Sequence, residues 1–306
     1  MCLIPDGGRI FEVISRYDDL LTMRCRQNYE PGDTLALIVP FLVLHQIKES
    51  DILRLARQAD LTPGSRNLVS TLLSQEWHVF CITTTYQQYA FHIMQQLDIP
   101  LSHVSATHFP LDQFGNSLKL EDANAISKVE LDILSMADRQ DDEFILRRLD
   151  DFFWNHLPRT GLWELMKSVK PVGGKRKFNS LYSFSHQHDV GIGNWVVVGD
   201  SITDFQMLRG VRDAGGLAVA FNGNQYALPY GTISLISTHI SDILQVLYVW
   251  ENGNLKDVEN FVREYPIDGS ERNQFDWLID KKDIGGIISK SREMRRMVRE
   301  EAGELG

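Results

Sequence analysis

The stretch Trp195-Val196-Val197-Val198-Gly199-Asp200-Ser201-Ile202-Thr203-Asp204 constrains this chain more than any other. Its apolar run, three of the four residues β-branched, reads as a buried parallel strand. The run stops at Gly199, and two carboxylates follow, four residues apart. Phe205, Met207 and Leu208 then open a helical pattern. Strand, sharp turn and helix put both acids at the carboxyl end of a strand in an α/β sheet, where such folds bind ligands. Two acids there repel each other unless a positive charge sits between them, and a hard cation such as Mg2+ is the usual guest. An equally simple reading makes one Asp a helix cap and the other a solvated residue one turn later.

A second strand precedes it. His78-Val79-Phe80-Cys81-Ile82 is apolar, ends in Thr83-Thr84-Thr85, and leads into a helical run from Tyr86 to about Leu97. Gly173-Gly174-Lys175-Arg176-Lys177 stands before another helix. The predicted strands are 78–83, 195–199, 217–221 and 232–236, alternating with helices in the manner of an open parallel sheet. Thr83 and Asp200 are expected to face one cleft.

The segment GDSITDFQML resembles the fourth motif of the haloacid dehalogenase (HAD) superfamily, Gly-Asp-(Ser/Gly)-x-x-Asp. The threonines after residue 82 resemble its second motif, and Lys175 in its Gly-Gly-Lys context resembles its third. The order and spacing are similar to a phosphoserine-phosphatase-like member. The GDS-I-x-D and AFNGN-x-YAL segments resemble an uncharacterised archaeal HAD-like family. The resemblance implies a HAD-like open parallel (Rossmannoid) sheet with helical cap and insert segments and a helical C-terminal extension. It also implies a Mg2+-dependent phosphomonoesterase acting on a small phosphorylated metabolite. In that reading Thr83 and Lys175 are catalytic. Thr83, Thr84, Lys175, Lys177 and Ser201 hold the substrate, with Lys175 favoured over Lys177 as the motif lysine that neutralises the phosphoryl oxygens. Asp200 binds the metal and Asp204 supports it.

The family's first motif, Asp-x-Asp-x-(Thr/Pro), carries the nucleophile and the general acid/base, and this sequence has no Asp-x-Asp. Tyr17-Asp18-Asp19-Leu20-Leu21-Thr22 comes nearest. Its acids are adjacent and so point apart, and the residues before them have helical periodicity. The chain is therefore expected to join the family pattern after the nucleophile strand. Loss of a central strand leaves two rows of backbone groups facing a gap. The slot is then filled from further upstream or by another segment, or the product is a poorly stable relic. The enzyme reading is accordingly of a phosphatase impaired as given; the alternative is a non-catalytic HAD-fold structural or regulatory subunit.

The expected organisation is a helical cap over 1–76, core over 77–106, a helical insert over 107–172, core again over 173–248, and a helical extension over 249–306. Asp33 is placed to cap the helix after the Glu30-Pro31-Gly32 turn. Phe152-Phe153-Trp154, at helical spacing, belongs to a core more readily than to a pocket. His45, His78, His92 and His108 stand singly, without ligand-like spacing. A net charge of −10 argues against nucleic acid and anionic membranes. No apolar run reaches membrane-spanning length. Three unpaired-looking cysteines, Cys2, Cys25 and Cys81, fit a reducing compartment, so the expected location is cytoplasmic. The last helix, 289–301, is a solvated face or a partner surface.

Overall fold

The computed structural model describes residues 3–302 except 25, 28, 115–117, 138–140 and 266–272. Cys2 and Cys25 therefore lie outside the described residues. In chain order the elements are α1 (Gly7–Met23), α2 (Thr34–Leu37), α3 (Val39–Leu44), α4 (Glu49–Arg57), α5 (Ser65–Ser74), β1 (Cys81–Tyr86), α6 (Gln87–Gln96), β2 (Val104–Thr107), α7 (Leu120–Met136) and α8 (Asp142–Asp150). There follow α9 (Leu162–Ser168), α10 (Lys175–Gln187), β3 (Val196–Gly199), α11 (Phe205–Asp213), β4 (Leu217–Phe221), β5 (Ile233–Ser237), α12 (Leu244–Asn252), α13 (Leu255–Glu264), β6 (Asn273–Trp277) and α14 (Gly285–Ala302). The fold is α/β.

The strands form two sheets rather than one. β1 pairs with β2 in parallel, and a separate sheet runs β3-β4-β5-β6. Within the larger sheet β3, β4 and β5 are parallel, while β6 runs antiparallel to β5 with Phe275 opposite Leu235. β4 and β5 are buried along their whole length, as apolar strands covered on both faces must be. β3 alternates half-exposed and buried residues, and β1, Cys-Ile-Thr-Thr-Thr-Tyr, is half-exposed except at Tyr86. The four predicted strands are present within a few residues of their expected limits. β6 corrects the reading of 249–306 as a helical extension. Its sequence Asn-Gln-Phe-Asp-Trp has one fully buried residue, Phe275, the pattern of an edge strand with one solvated face.

Helices from 1–76 and from 107–172 share one core. Ile10, Ile14, Tyr17 and Leu21 of α1 pack with Val39 and Phe41, and with Ile126, Ile133, Leu149, Phe152 and Phe153 from 107–172. The aromatics at 152 and 153 are thus core residues: Tyr17 stacks on Phe153 at 5.9 Å between ring centroids. Tyr17 donates to Asp150 at 2.5 Å and accepts from the Trp154 indole at 2.7 Å. The segment 1–76 is accordingly divided. α1–α3 join α7–α9, whereas Leu68 and Leu72 of α5 pack beneath the larger sheet with Leu217, Val246 and Leu247. Burying these side chains contributes roughly 1.5–3 kcal/mol each relative to exposure.

Candidate functional site

The turn after β3 is built around Asp204. Its Oδ2 accepts from the backbone N–H of Asp200 at 3.1 Å and of Ser201 at 3.0 Å, and from the Ser201 hydroxyl at 2.9 Å. Its Oδ1 accepts from Lys177 Nζ at 2.6 Å. Both members of this ion pair are buried, with side chains 9% and 7% exposed. Burial pushes the Asp204 carboxyl up, but the Lys177 ammonium and the surrounding donors outweigh it and hold the group below the usual carboxylate range. Lys177 also acts electrostatically on Cys81 of β1, whose thiol burial pushes up to about 11. The ammonium therefore sits beside Asp204, after β3, and within electrostatic range of β1.

The structure reverses the preference between the two lysines. Lys175 begins α10, its side chain 72% exposed, and its Nζ lies 3.8 Å from Glu30 Oε1. Two residues on a helix differ by about 200° in direction, so only one of the pair can face the acids. That one is Lys177.

Asp200 is half-exposed and does not stand alone. Arg295 of α14 lies 3.1 Å from its Oδ2 and donates to its carbonyl at 2.7 Å. This partner was not foreseen, because nothing in the spacing of a charged C-terminal helix says which arginine turns inward. Of the threonines, Thr84 donates to the Val172 carbonyl at 3.0 Å and Thr83 Oγ1 accepts from Thr85 N at 3.3 Å. Thr84 thus serves to tie β1 to the chain entering α10. Ser201, also bonded to Thr203 at 3.0 Å, belongs to the Asp204 turn.

One loop, Glu30-Pro31-Gly32-Asp33, lies across all these elements. Gly32 has φ +94°, and a Cβ there would stand 2.8 Å from Thr84 Cγ2 and 3.1 Å from Thr203 Cγ2. The tips of β1 and β3 therefore meet the same loop. Gly173 is as tightly constrained: its Cβ would fall 1.9 Å from the Pro31 carbonyl oxygen. Glu30 Oε2 accepts from Lys175 N at 3.0 Å. Asp33 binds the Arg176 guanidinium and accepts from Glu30 N at 3.1 Å. Asp33 is thus spent on this loop and gives α2 no side-chain cap, contrary to expectation. Asp18 holds the loop from behind, accepting from Tyr29 at 2.5 Å and from Gly32 N at 3.2 Å. It lies inside α1 and is buried. It is an anchor for the loop rather than the acid of an Asp-x-Asp strand tip.

Mg2+ takes near-octahedral oxygen coordination, usually from one or two carboxylates with phosphate and water. Here Asp204 is enclosed by Lys177 and three further donors, and Asp200 is shared with Arg295. Among the described residues no group of three His, Cys, Asp or Glu could hold a metal ion. These side chains by themselves do not make a Mg2+ shell. At the other end of the strands His78, His103 and His188 come together, with ring centroids 5.2–5.9 Å apart, though widely separated in sequence.

The architecture is that of an α/β protein with parallel strands whose carboxyl ends carry a buried lysine–aspartate pair. No protein-family model matches the chain, and no curated protein matches it. Among solved structures it is similar to gene product AF1437 from Archaeoglobus fulgidus, with a TM-score of 0.82 and 28% identity over 97% of this chain and 90% of that one. No helix among the described residues is long and apolar enough to cross a membrane.

Proposed function

We propose that this chain carries the phosphate-holding half of a HAD-type phosphomonoesterase for a small phosphorylated metabolite. The buried Lys177–Asp204 pair at the carboxyl end of β3, opposite β1, carries this reading. An ammonium fixed by a carboxylate in a site of low dielectric neutralises phosphoryl oxygens without reorganising. Thr83, midway along β1, would donate to a second oxygen. Asp200 would face the same anion through whatever cation it holds, and in this arrangement that cation is Arg295. Metal-assisted hydrolysis would need a further anionic donor and an attacking carboxylate, neither of which an Asp-x-Asp of this sequence supplies. The 306-residue chain is therefore expected to hydrolyse p-nitrophenyl phosphate in Mg2+ poorly or not at all. Robust Mg2+-dependent turnover that disappears in Asp200→Asn would reveal a nucleophile outside this account. A second reading, a non-catalytic HAD-fold subunit, is favoured by Arg295, which already satisfies the carboxylate a metal would need. Equilibrium dialysis with inorganic phosphate separates the two. Phosphate bound by the parent and lost in Lys177→Met supports the phosphate site, and no binding by the parent supports the subunit.

A further inference from the structure

An open cleft of about 560 Å3 lies at the amino-terminal end of β3 and β4, away from the Lys177–Asp204 pair at the carboxyl end. Asn194, just before β3, lines it together with Trp77, Trp250, Glu251 and Asn254. Both indoles are half-buried and pack on the core of the larger sheet, so they are held in place with part of each ring left to the cleft. Trp77 Nε1 donates to Glu251 Oε1 at 3.2 Å. An indole N–H lies in the ring plane, so this bond puts the carboxylate beside the Trp77 ring and not over its face. Glu251 is exposed and, among the described residues, has no cation beside it. No described lysine, arginine or histidine lines the cleft. A carboxylate without a basic neighbour repels anions, so the chemistry of the lining selects a neutral or cationic guest. A neutral guest would use the indole faces and leave Glu251 without a counter-charge. A primary ammonium or a hard metal ion keeps its water in so open a place. A quaternary ammonium has no proton to donate, and the face of Trp is the ring surface that attracts such a cation best.

We propose that this cleft binds a quaternary ammonium group, with the indoles of Trp77 and Trp250 against its methyl groups and Glu251 supplying the counter-charge. The amides of Asn194 and Asn254 stand at the same cleft for the polar remainder of the ligand. Asn254 uses its Oδ1 on the N–H of Lys256, which leaves its Nδ2 to donate. The site is independent of the phosphate reading, and its test contains no activity measurement.

Choline chloride is titrated into the full chain, with sodium chloride at equal ionic strength as the reference, and the indole N–H resonances are followed by NMR. Those of Trp77 and Trp250 should shift saturably with choline and not with sodium, while Trp154 and Trp163 of the helical body stay unmoved. The carbon analogue of choline, with a tert-butyl group in place of trimethylammonium, has the same shape and no charge. It should bind at least about fivefold more weakly. Glu251→Gln keeps an acceptor for the Trp77 indole and removes the charge, and Trp250→Leu removes one ring. Each should weaken choline at least about fivefold; Glu251, being exposed, decides the matter should Trp250→Leu fail to fold. A trimethyl-lysine peptide that binds more tightly than choline makes a methylated protein the source of the group, and the reverse order makes it a free small molecule. No saturable shift, equal binding of the uncharged analogue, or unchanged affinity in Glu251→Gln would overturn the proposal. So would glucose moving the same two signals at lower concentration than choline, since the cleft would then be a carbohydrate site.

Discussion

Lys177 is the residue on which the site turns. Methionine at this position would leave the Asp204 carboxylate buried beside three donors but no counter-charge. Breaking a buried pair from one side costs about 3–5 kcal/mol. Lys177→Met should therefore melt well below the parent, and Lys177→Met with Asp204→Asn should recover part of the loss; a double-mutant cycle by chemical denaturation measures the difference. Asp18 carries the opposite electrostatic sign. Burial raises its carboxyl from 3.8 to about 6, while Tyr29, Gly32 and Thr34 hold the shift back. The folded state then binds more protons than the unfolded one between these two values. Its stability from this group is full below pH 3.8 and falls as the pH rises to about 6, by roughly 3 kcal/mol at about 1.4 kcal/mol per unit. Asp18→Asn should remove that slope, and unfolding curves taken from pH 4 to pH 7 would show it; an unchanged slope would relieve Asp18 of this role. At Arg295, truncation to alanine removes one cation from the Asp200 carboxylate. Mg2+ binding by calorimetry should be tighter in Arg295→Ala than in the parent, and equal or weaker binding would mean that the arginine does not compete for the site.

Among the elements, the loop 30–33 joins the helical body to the sheets through Gly32, Gly173 and the Asp33–Arg176 pair. An alanine at 173 must displace the Pro31 carbonyl, which is backbone and cannot rotate aside as a side chain would. Gly173→Ala should destabilise by more than the typical ~1 kcal/mol of a point substitution, and should raise amide exchange in 30–33 specifically. Exchange raised evenly over the chain would show that the loop is not held there. What could be read in advance follows the same physics. β3, β4 and β5 are legible because each is a short, largely apolar run, too short for a helix and bounded by turn residues. β6 is not, since an edge strand with a single buried Phe275 looks like any polar linker. The acids at 200 and 204 stand out by their place after a strand. The lysine that meets them does not, because Lys175 and Lys177 are equivalent until the phase of α10 is known. Likewise, no local pattern says that α1 and α8 will share a core while α5 goes to the other side of the molecule.

For the whole molecule, the separation of β1-β2 from β3-β4-β5-β6 decides how the chain should behave. Apolar strands normally bury both faces and both edges, and their ladders add cooperatively to the fold. Here the helical body is closed around Phe41, Ile133 and Phe153, which are fully buried, whereas Ile82, Val196 and Val198, which line the cavity between β1 and β3, stay half-exposed. Stability is then uneven: the helical body and the β4–β5 centre should exchange slowly, and β1 and β3 should open at lower free energy. An apolar cleft of about 410 Å3 also offers a place for a hydrophobic dye. The parent chain should enhance 1-anilinonaphthalene-8-sulfonate fluorescence at temperatures well below its melting transition, and the melt should be broad. The dye should not be displaced by inorganic phosphate, because the cleft between the strands and the Lys177 site at their tips are different places. Two results would count against this picture: a sharp, high-temperature melt without dye enhancement, or displacement of the dye by phosphate alone. The first would mean that the separate sheets are no weakness. The second would place the dye at the strand tips and leave the gap between β1 and β3 closed to ligands.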